Sequence, residues 1–201
     1  MDVAMDMVDV AFALRGATIP ADHGWNLYRL LSKRLDWLEQ ETHAGVHPIR
    51  GSDAGSGGLY LGARARLTLR LPRARSEQAF ALAGTRLDLG EGIEIGEARL
   101  RPLVAHATLY SPFAATGAGD EAGFHRDVST ELRRAGIGCK MICGRKHSAR
   151  SRGGELAGFG LMLYELSPEH SLGLQQTGLG TGRKQGCGIF VPHKSAAAVG
   201  T

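Results

Sequence analysis

The segment Gly178-Leu179-Gly180-Thr181-Gly182-Arg183-Lys184-Gln185-Gly186-Cys187-Gly188 places five glycines and two adjacent cations within eleven residues. Glycine lets a backbone take positive φ and approach a ligand closely, and exposed N–H groups beside Arg183 and Lys184 suit a phosphate. Gly178, Gly180, Gly182, Gly186, Arg183 and Lys184 are therefore candidate phosphate contacts. The familiar nucleotide loops do not fit: Lys184 is followed by Gln185 rather than Ser or Thr, and the segment runs into the apolar Ile189-Phe190-Val191-Pro192 instead of opening a helix. A second concentration of charge lies upstream. Between Glu131 and Glu155 there is no acid, while Arg133, Arg134, Lys140, Arg145, Lys146, Arg150 and Arg152 all fall there, with His147 among them. Clustered Lys and Arg bind backbone phosphates, so both features point to a polyanion.

These groups need elements to position them. Val8–Leu14 is an apolar run of strand length, and Pro20 turns the chain into a stretch where Leu27, Leu30, Leu31, Leu35 and Leu38 recur at helical spacing. The pattern predicts one helix over about 22–42 with Asp22 as N-cap and a basic outer face of Arg29, Lys33 and Arg34. Strands are expected at Val46–Ile49, Leu59–Leu61 and Arg66–Leu71, a short helix near Ser76–Ala83, and a closing strand within Ala98–Val104. The order is β-α-β-β-α-β. The second half repeats it: strand Ala107–Phe113, helix Glu121–Ala135, strand Gly138–Ile142, a basic loop 144–153, strand Leu156–Leu166, helix Pro168–Thr177 capped by Ser167, and strand Gly188–Val191. The expected fold is α+β, with two ferredoxin-like (RRM-like) halves, residues 1–103 and 104–193, a C-terminal glycine-rich loop, and a disordered tail over 194–201.

The stretch Ser171-Leu172-x-Leu174-Gln175-x-x-Gly178-Leu179-Gly180, followed by Arg183-Lys184-x-Gly186-Cys187-Gly188-x-Phe190-Val191-Pro192, resembles the C-terminal glycine-rich signature of the repeat-associated RNA-processing (RAMP) proteins. Within them it is similar to the CRISPR pre-crRNA endoribonucleases of the Cas-six kind, in their MYXAN-type branch. Ile19-Pro20-Ala21-Asp22-His23-Gly24-x-x-Leu27-Tyr28 and Gly45-Val46-His47-Pro48-Ile49-Arg50-Gly51 resemble that branch's N-terminal blocks. The similarity spans nearly the whole chain. It implies the tandem ferredoxin-like architecture and metal-independent cutting of CRISPR repeat RNA beside a stem-loop, giving a 2′,3′-cyclic phosphate. It also implies a lasting hold on the 3′ stem-loop of the guide, within a type I or transposon-associated effector containing other CRISPR subunits.

That chemistry needs a group to take the proton of a ribose 2′-hydroxyl and a cation for the charge that develops, and histidine is the usual base. Of eight histidines, His23 ranks first, because a helix start favours bound phosphate and a neutral imidazole. His47 follows in its shared block, with Lys33 or Arg50 as cation, and His43 is third. Tyr28 is an orienting candidate: some relatives carry a helix tyrosine and, three residues later, the catalytic histidine, places filled here by Trp25 and Tyr28. With a pKa of about 10, a tyrosine is a poor base. Arg29, Lys33, Lys140, Arg145, Lys146, His147, Arg150 and Arg152 are the expected RNA contacts outside the glycine-rich loop.

Composition narrows the classes. The 201 residues are 43% hydrophobic and carry a formal charge of +4, enough for a buried core with a mild basic excess. Three cysteines without a repeated C-x-x-C indicate neither a disulfide framework nor a zinc site. No D-x-D or H-E-x-x-H pattern supports a metal nuclease, and neither a metal nor a small-molecule cofactor is expected. Without a leader or an 18-residue apolar run, the expected location is the cytoplasm, with no membrane partner. Two other functions fit less of the chain: a non-catalytic subunit that caps the crRNA hairpin, and a small-molecule sensor, which leaves the acid-free stretch unexplained.

Overall fold

The computed structural model describes residues 6–194. The expected tail therefore lies, from residue 195 onward, outside the described residues. The chain divides into two compact units between Pro102 and Leu103.

In the first unit, β1 (Met7–Arg15) pairs with β6 (Arg66–Pro72) and β8 (Ile93–Pro102), while β3 (Gly45–Val46) and β7 (Arg86–Leu87) form the edges, in the order β3-β6-β1-β8-β7. Every neighbouring pair is antiparallel. Alternation along the strands builds the core: Val8, Val10 and Phe12 on β1 and Leu67, Leu69 and Leu71 on β6 point to one face. There they meet Leu27 and Leu31 of α1 (Gly24–Ser32) and Ala79 of α2 (Ser76–Phe80). A small second sheet joins β2 (Thr18–Pro20), β5 (Gly58–Tyr60) and β4 (Ser52–Gly55), of which β2 and β4 were not expected.

The second unit has β9 (Thr108–Ala115), α3 (Glu121–Arg134), β10 (Lys140–Ser151), β11 (Gly154–Tyr164), α4 (Pro168–Thr177) and β12 (Val191–Pro192), with its sheet in the order β10-β11-β9-β12. Numbered within their own halves, the strands of β3-β6-β1-β8 and of β10-β11-β9-β12 follow one order, 2-3-1-4, which is the ferredoxin-like arrangement repeated. Its core places Leu109, Leu161 and Leu163 against Phe124, Val128 and Leu132 of α3 and Leu174 of α4, with the Phe124 and Phe159 rings 4.9 Å apart. Asp120 caps α3 by accepting from the Gly123 N–H, and Ser167 caps α4 by accepting from His170.

Two expectations are corrected. The helix expected over 22–42 stops at Ser32, and Lys33–Ala44 follows as tight turns in which Leu38 N–H donates to Leu35 and Gln40 N–H to Trp37. Trp37 and Leu38 are both buried although adjacent in sequence, which a straight amphipathic helix cannot arrange. The Arg75 guanidinium over the Trp37 ring, 5.4 Å from its centroid and bonded to Glu41, holds this turn segment. The N-cap position belongs to His23, not Asp22.

The second correction concerns the basic segment, which is a hairpin rather than a loop. β10 runs straight through 144–151, and an extra residue between Cys143 and Lys146 forms a bulge. Because β9 ends at Ala115 opposite Gly158, the part of the hairpin from Ser148 to Ala157 stands beyond the sheet as a two-stranded arm. Among the described residues, no helix is long and apolar enough to cross a membrane.

Candidate functional site

His23 sits where β2 hands over to α1, and its ring is 4% exposed. Nδ1 lies 3.0 Å from the carbonyl oxygens of both Pro20 and Ala21, and Nε2 accepts the Ile49 N–H at 3.0 Å. Two carbonyl acceptors fix the proton on Nδ1, so the Nε2 lone pair is already in use. Burial, with smaller opposing contributions from the two carbonyls and from Asp22, holds the imidazole below its ordinary pKa. His23 thus pins the segment after β3 to the start of α1, and in this geometry it has no lone pair to offer a ribose hydroxyl.

The pinned segment carries His47. Its N–H donates to Thr68 O at 2.9 Å, extending the pairing of β3 with β6 by one residue. The register puts His47 on the face of the sheet opposite the helices, the face that also carries Asp9 and Arg70, which are direct partners across β1 and β6. Arg70 Nε and Nη2 donate to the two Asp9 oxygens at 2.7 and 2.9 Å, and His47 Nε2 lies 3.4 Å from Asp9 Oδ1. Arg70 is 1% exposed, whereas the His47 side chain keeps 14%. Burial by itself raises the Asp9 pKa, but the hydrogen bonds of Arg70 and the adjacent His47 ring outweigh it and hold the carboxyl well below the usual carboxylate range.

The other candidates of this unit are placed differently. His43 is half-buried in the turn before β3, and Arg50 is exposed three residues beyond His47. Tyr28 packs its ring against the core and against Trp25, 5.6 Å between centroids, so its position on α1 is a packing position. Arg29 and Lys33 lie on the outer face of α1, where with Asn26 and Asp88 they line a cleft of about 220 Å³.

In the second unit, Arg145, Lys146, His147, Arg150 and Arg152 are all exposed on the hairpin. Lys146 Nζ reaches Gly119 O at 2.6 Å, Lys140 pairs with Glu165 at 2.7 Å, and the His147 ring lies 5.9 Å from that of Phe113. The glycine-rich loop departs from the expected phosphate nest. Of its eleven N–H groups, those of residues 178–181 and 185–188 donate to protein acceptors, Gly180 to Glu131 and Thr181 to Ala115 among them. A Cβ at Gly180 would strike Ala115 O, and one at Gly188 would strike Leu179 O; both glycines have positive φ. Arg183 Nη2 bonds the carbonyls of Gln175 and Gln176 at 2.9 and 2.8 Å, closing the end of α4. These glycines and Arg183 close the loop onto β9 and α4, and Lys184 is half-buried beside them.

Sequence reading missed Asp9 and Arg70. The available signal was a charge inside an apolar run: an acid within Met7-Val8-Asp9-Val10 and a cation within Leu69-Arg70-Leu71. Among the described residues, no group of three or more His, Cys, Asp or Glu is arranged to hold a metal ion.

Comparison with known proteins identifies the family and the fold. The Cas6 CRISPR family model matches residues 8–195. The chain is 34% identical over 197 residues to the CRISPR-associated endonuclease Cas6 of Myxococcus xanthus (strain DK1622), covering 97% of this chain and 85% of that protein. Among solved structures, a CRISPR-associated protein Cas6 superimposes with a TM-score of 0.67 at 11% identity, covering 94% of this chain and all of that one. A Cas6-related protein of Pyrococcus furiosus gives 0.66 at 12%, covering 94% and 99%. The CRISPR endoribonuclease Cse3 bound to a 19-nucleotide RNA gives 0.55 at 14%, covering 92% and 96%. With a family match over nearly its full length and a fold shared with these structures, the chain belongs to the Cas6 family of CRISPR-associated proteins.

Proposed function

We propose that this protein is a metal-independent endoribonuclease that cuts CRISPR repeat RNA beside a stem-loop and keeps the stem-loop bound as a subunit of a larger CRISPR effector. The observation that carries the reading is His47, held at the exit of β3 against an ionised Asp9 with the exposed Arg50 three residues on. A neutral imidazole there takes the 2′-hydroxyl proton as the 2′-oxygen attacks the adjacent phosphorus, the P–O5′ bond breaks, and Arg50 meets the charge that builds on the phosphoryl oxygens. The products are a 2′,3′-cyclic phosphate and a 5′-hydroxyl. The similarity to an endonuclease of the same family supports the activity, and the exposed cations of the hairpin support the substrate.

The test is a repeat RNA with hydrogen in place of the 2′-hydroxyl just 5′ of the cut, assayed with excess EDTA beside the all-ribose substrate. The ribose substrate should be cut in EDTA and the deoxy substrate left whole. Cutting of the deoxy RNA, or loss of activity in EDTA, would establish a hydrolytic metal mechanism in its place.

Binding should depend on the hairpin. Each phosphate contact on a single strand contributes about −0.7 to the slope of log affinity against log salt, and on a duplex about −0.9. Replacing Arg145, Lys146, Arg150 and Arg152 together by alanine should weaken binding and make that slope shallower, as a salt titration by filter binding would read. The same slope in the variant would place the RNA elsewhere.

A further inference from the structure

We propose that Asp9 is a positioning residue for the cleavage step: its carboxylate fixes the tautomer of His47, so that Nδ1 is the atom that takes the proton. The inference rests on His47 being the base. Asp9 Oδ1 is 3.4 Å from His47 Nε2, and both Asp9 oxygens are gripped by the buried Arg70. An ionised carboxylate only accepts hydrogen bonds, so a neutral His47 facing it carries its hydrogen on Nε2 and its lone pair on Nδ1. Arg70 keeps Asp9 ionised, which prevents the carboxyl from competing for the proton.

Among the described residues, the charged groups on the strands around this pair are Arg70 on β6 and, on β8, Arg101 opposite Asp9, Arg99 opposite Ala11 and Glu97 further along; His43 and Arg50 flank His47 on its own segment. The arginines disfavour an imidazolium, and the Asp9 carboxylate beside the ring favours it. Once Nδ1 has accepted the 2′-hydroxyl proton, the imidazolium sits beside Asp9 as an ion pair. The leaving 5′-oxygen takes a proton from water, and the imidazolium then returns its own to solvent, restoring the neutral base.

The test is Asp9→Asn, which keeps the shape of the side chain, removes its charge and exchanges one accepting oxygen for a donating amide nitrogen. Single-turnover cleavage of repeat RNA is followed from pH 5 to 9 beside the wild type and His47→Ala. In Asp9→Asn the plateau rate should fall by about 10²-fold, the lower end of what a positioned base contributes, with hairpin affinity unchanged. The rising limb of the profile should also move to lower pH, because the anion that favoured the imidazolium is gone. A wild-type profile, or a lower rate with an unmoved limb, would overturn the positioning role and reduce Asp9 to a scaffold for Arg70. Full activity in His47→Ala would instead show that the base is another residue, whatever Asp9→Asn does. Should Asp9→Asn fail to fold, nitrogen-15 NMR of the unmodified protein decides: neutral His47 protonated at Nε2 supports the assignment, and protonation at Nδ1 overturns it.

Discussion

Replacing His47 by alanine should lower the single-turnover cleavage rate by about 10²-fold to 10⁴-fold, the contribution of a positioned general base, while affinity for the repeat hairpin stays close to wild type. The ring lies on the sheet face with Asp9, away from the core, and the backbone bond of residue 47 to Thr68 survives the substitution. His23→Ala should behave in the opposite sense. It removes the acceptor of the Ile49 N–H and the donor to Pro20 and Ala21, so it should lower the melting temperature, and any loss of cleavage should be recovered under conditions that restore the fold. Rapid-quench kinetics with a labelled repeat RNA, alongside thermal melts of both variants, would separate them. If His47→Ala cuts as fast as wild type, the base lies elsewhere and His43 is the next residue to replace.

Arg70→Met should cost about 3 kcal/mol of stability, because it leaves a buried carboxylate without its counter-charge. Arg70 is 1% exposed and donates two charged hydrogen bonds to Asp9, whose side chain keeps 17% exposure, so the guanidinium cannot recover these bonds from water without local opening. The sign of the pH dependence should reverse with it. In the wild type, Asp9 titrates below its unfolded value of about 3.9, so its contribution is fully present above that pH and is lost as pH falls through the folded pKa. In the variant, burial is the largest contribution, opposed by His47 but no longer by Arg70, and should raise the Asp9 pKa, so acidification from pH 7 toward 4 should recover stability. Urea denaturation at several pH values would show it. Equal midpoints for the two proteins across that range would mean that water, not Arg70, solvates the carboxylate.

The parts of the fold that were legible in the sequence are those where local and tertiary preferences coincide. Helix α4 begins and ends where Ser167 and Gly178 place it, since the cap and the glycine act over a single turn. Strand β6 was visible because Leu67, Leu69 and Leu71 alternate with polar residues on a half-buried surface. The hairpin was not: its outer half has polar residues on both faces, so no periodicity distinguishes a free-standing ribbon from a loop. Helix α1 was drawn too long because Leu35 and Leu38 keep the helical spacing while being buried through turns.

The site was legible only in its residue types. His47 stood out by its block, but its partner Asp9 is 38 positions away in sequence, and Arg70 is 61 residues from Asp9. Only the register of β1 against β6 brings these groups together. The ranking of His23 above His47 followed from helix electrostatics, whereas the hydrogen bonds favour the reverse order, since carbonyls turned toward Nδ1 fix the tautomer of a buried histidine more strongly than the end of a nine-residue helix does.

Pairing with β11 sets which side of the arm carries the cations. Between Cys143 and Lys146 the strand spends one residue more than its partner, and from there outward Lys146, Ser148 and Arg150 share one face while His147, Ala149 and Ser151 share the other. Deleting that single residue would remove the local bend and leave the faces as they are, because Lys146 still pairs with Phe159 on the continuous strand β11. Adding residues in pairs near Arg152 and Gly153 would lengthen the arm by about 3.3 Å for each residue added to a strand and leave the faces as they are. The arm is therefore free to change its reach in even steps, and a residue gained or lost at the bulge alters its bend rather than the surface it offers to RNA.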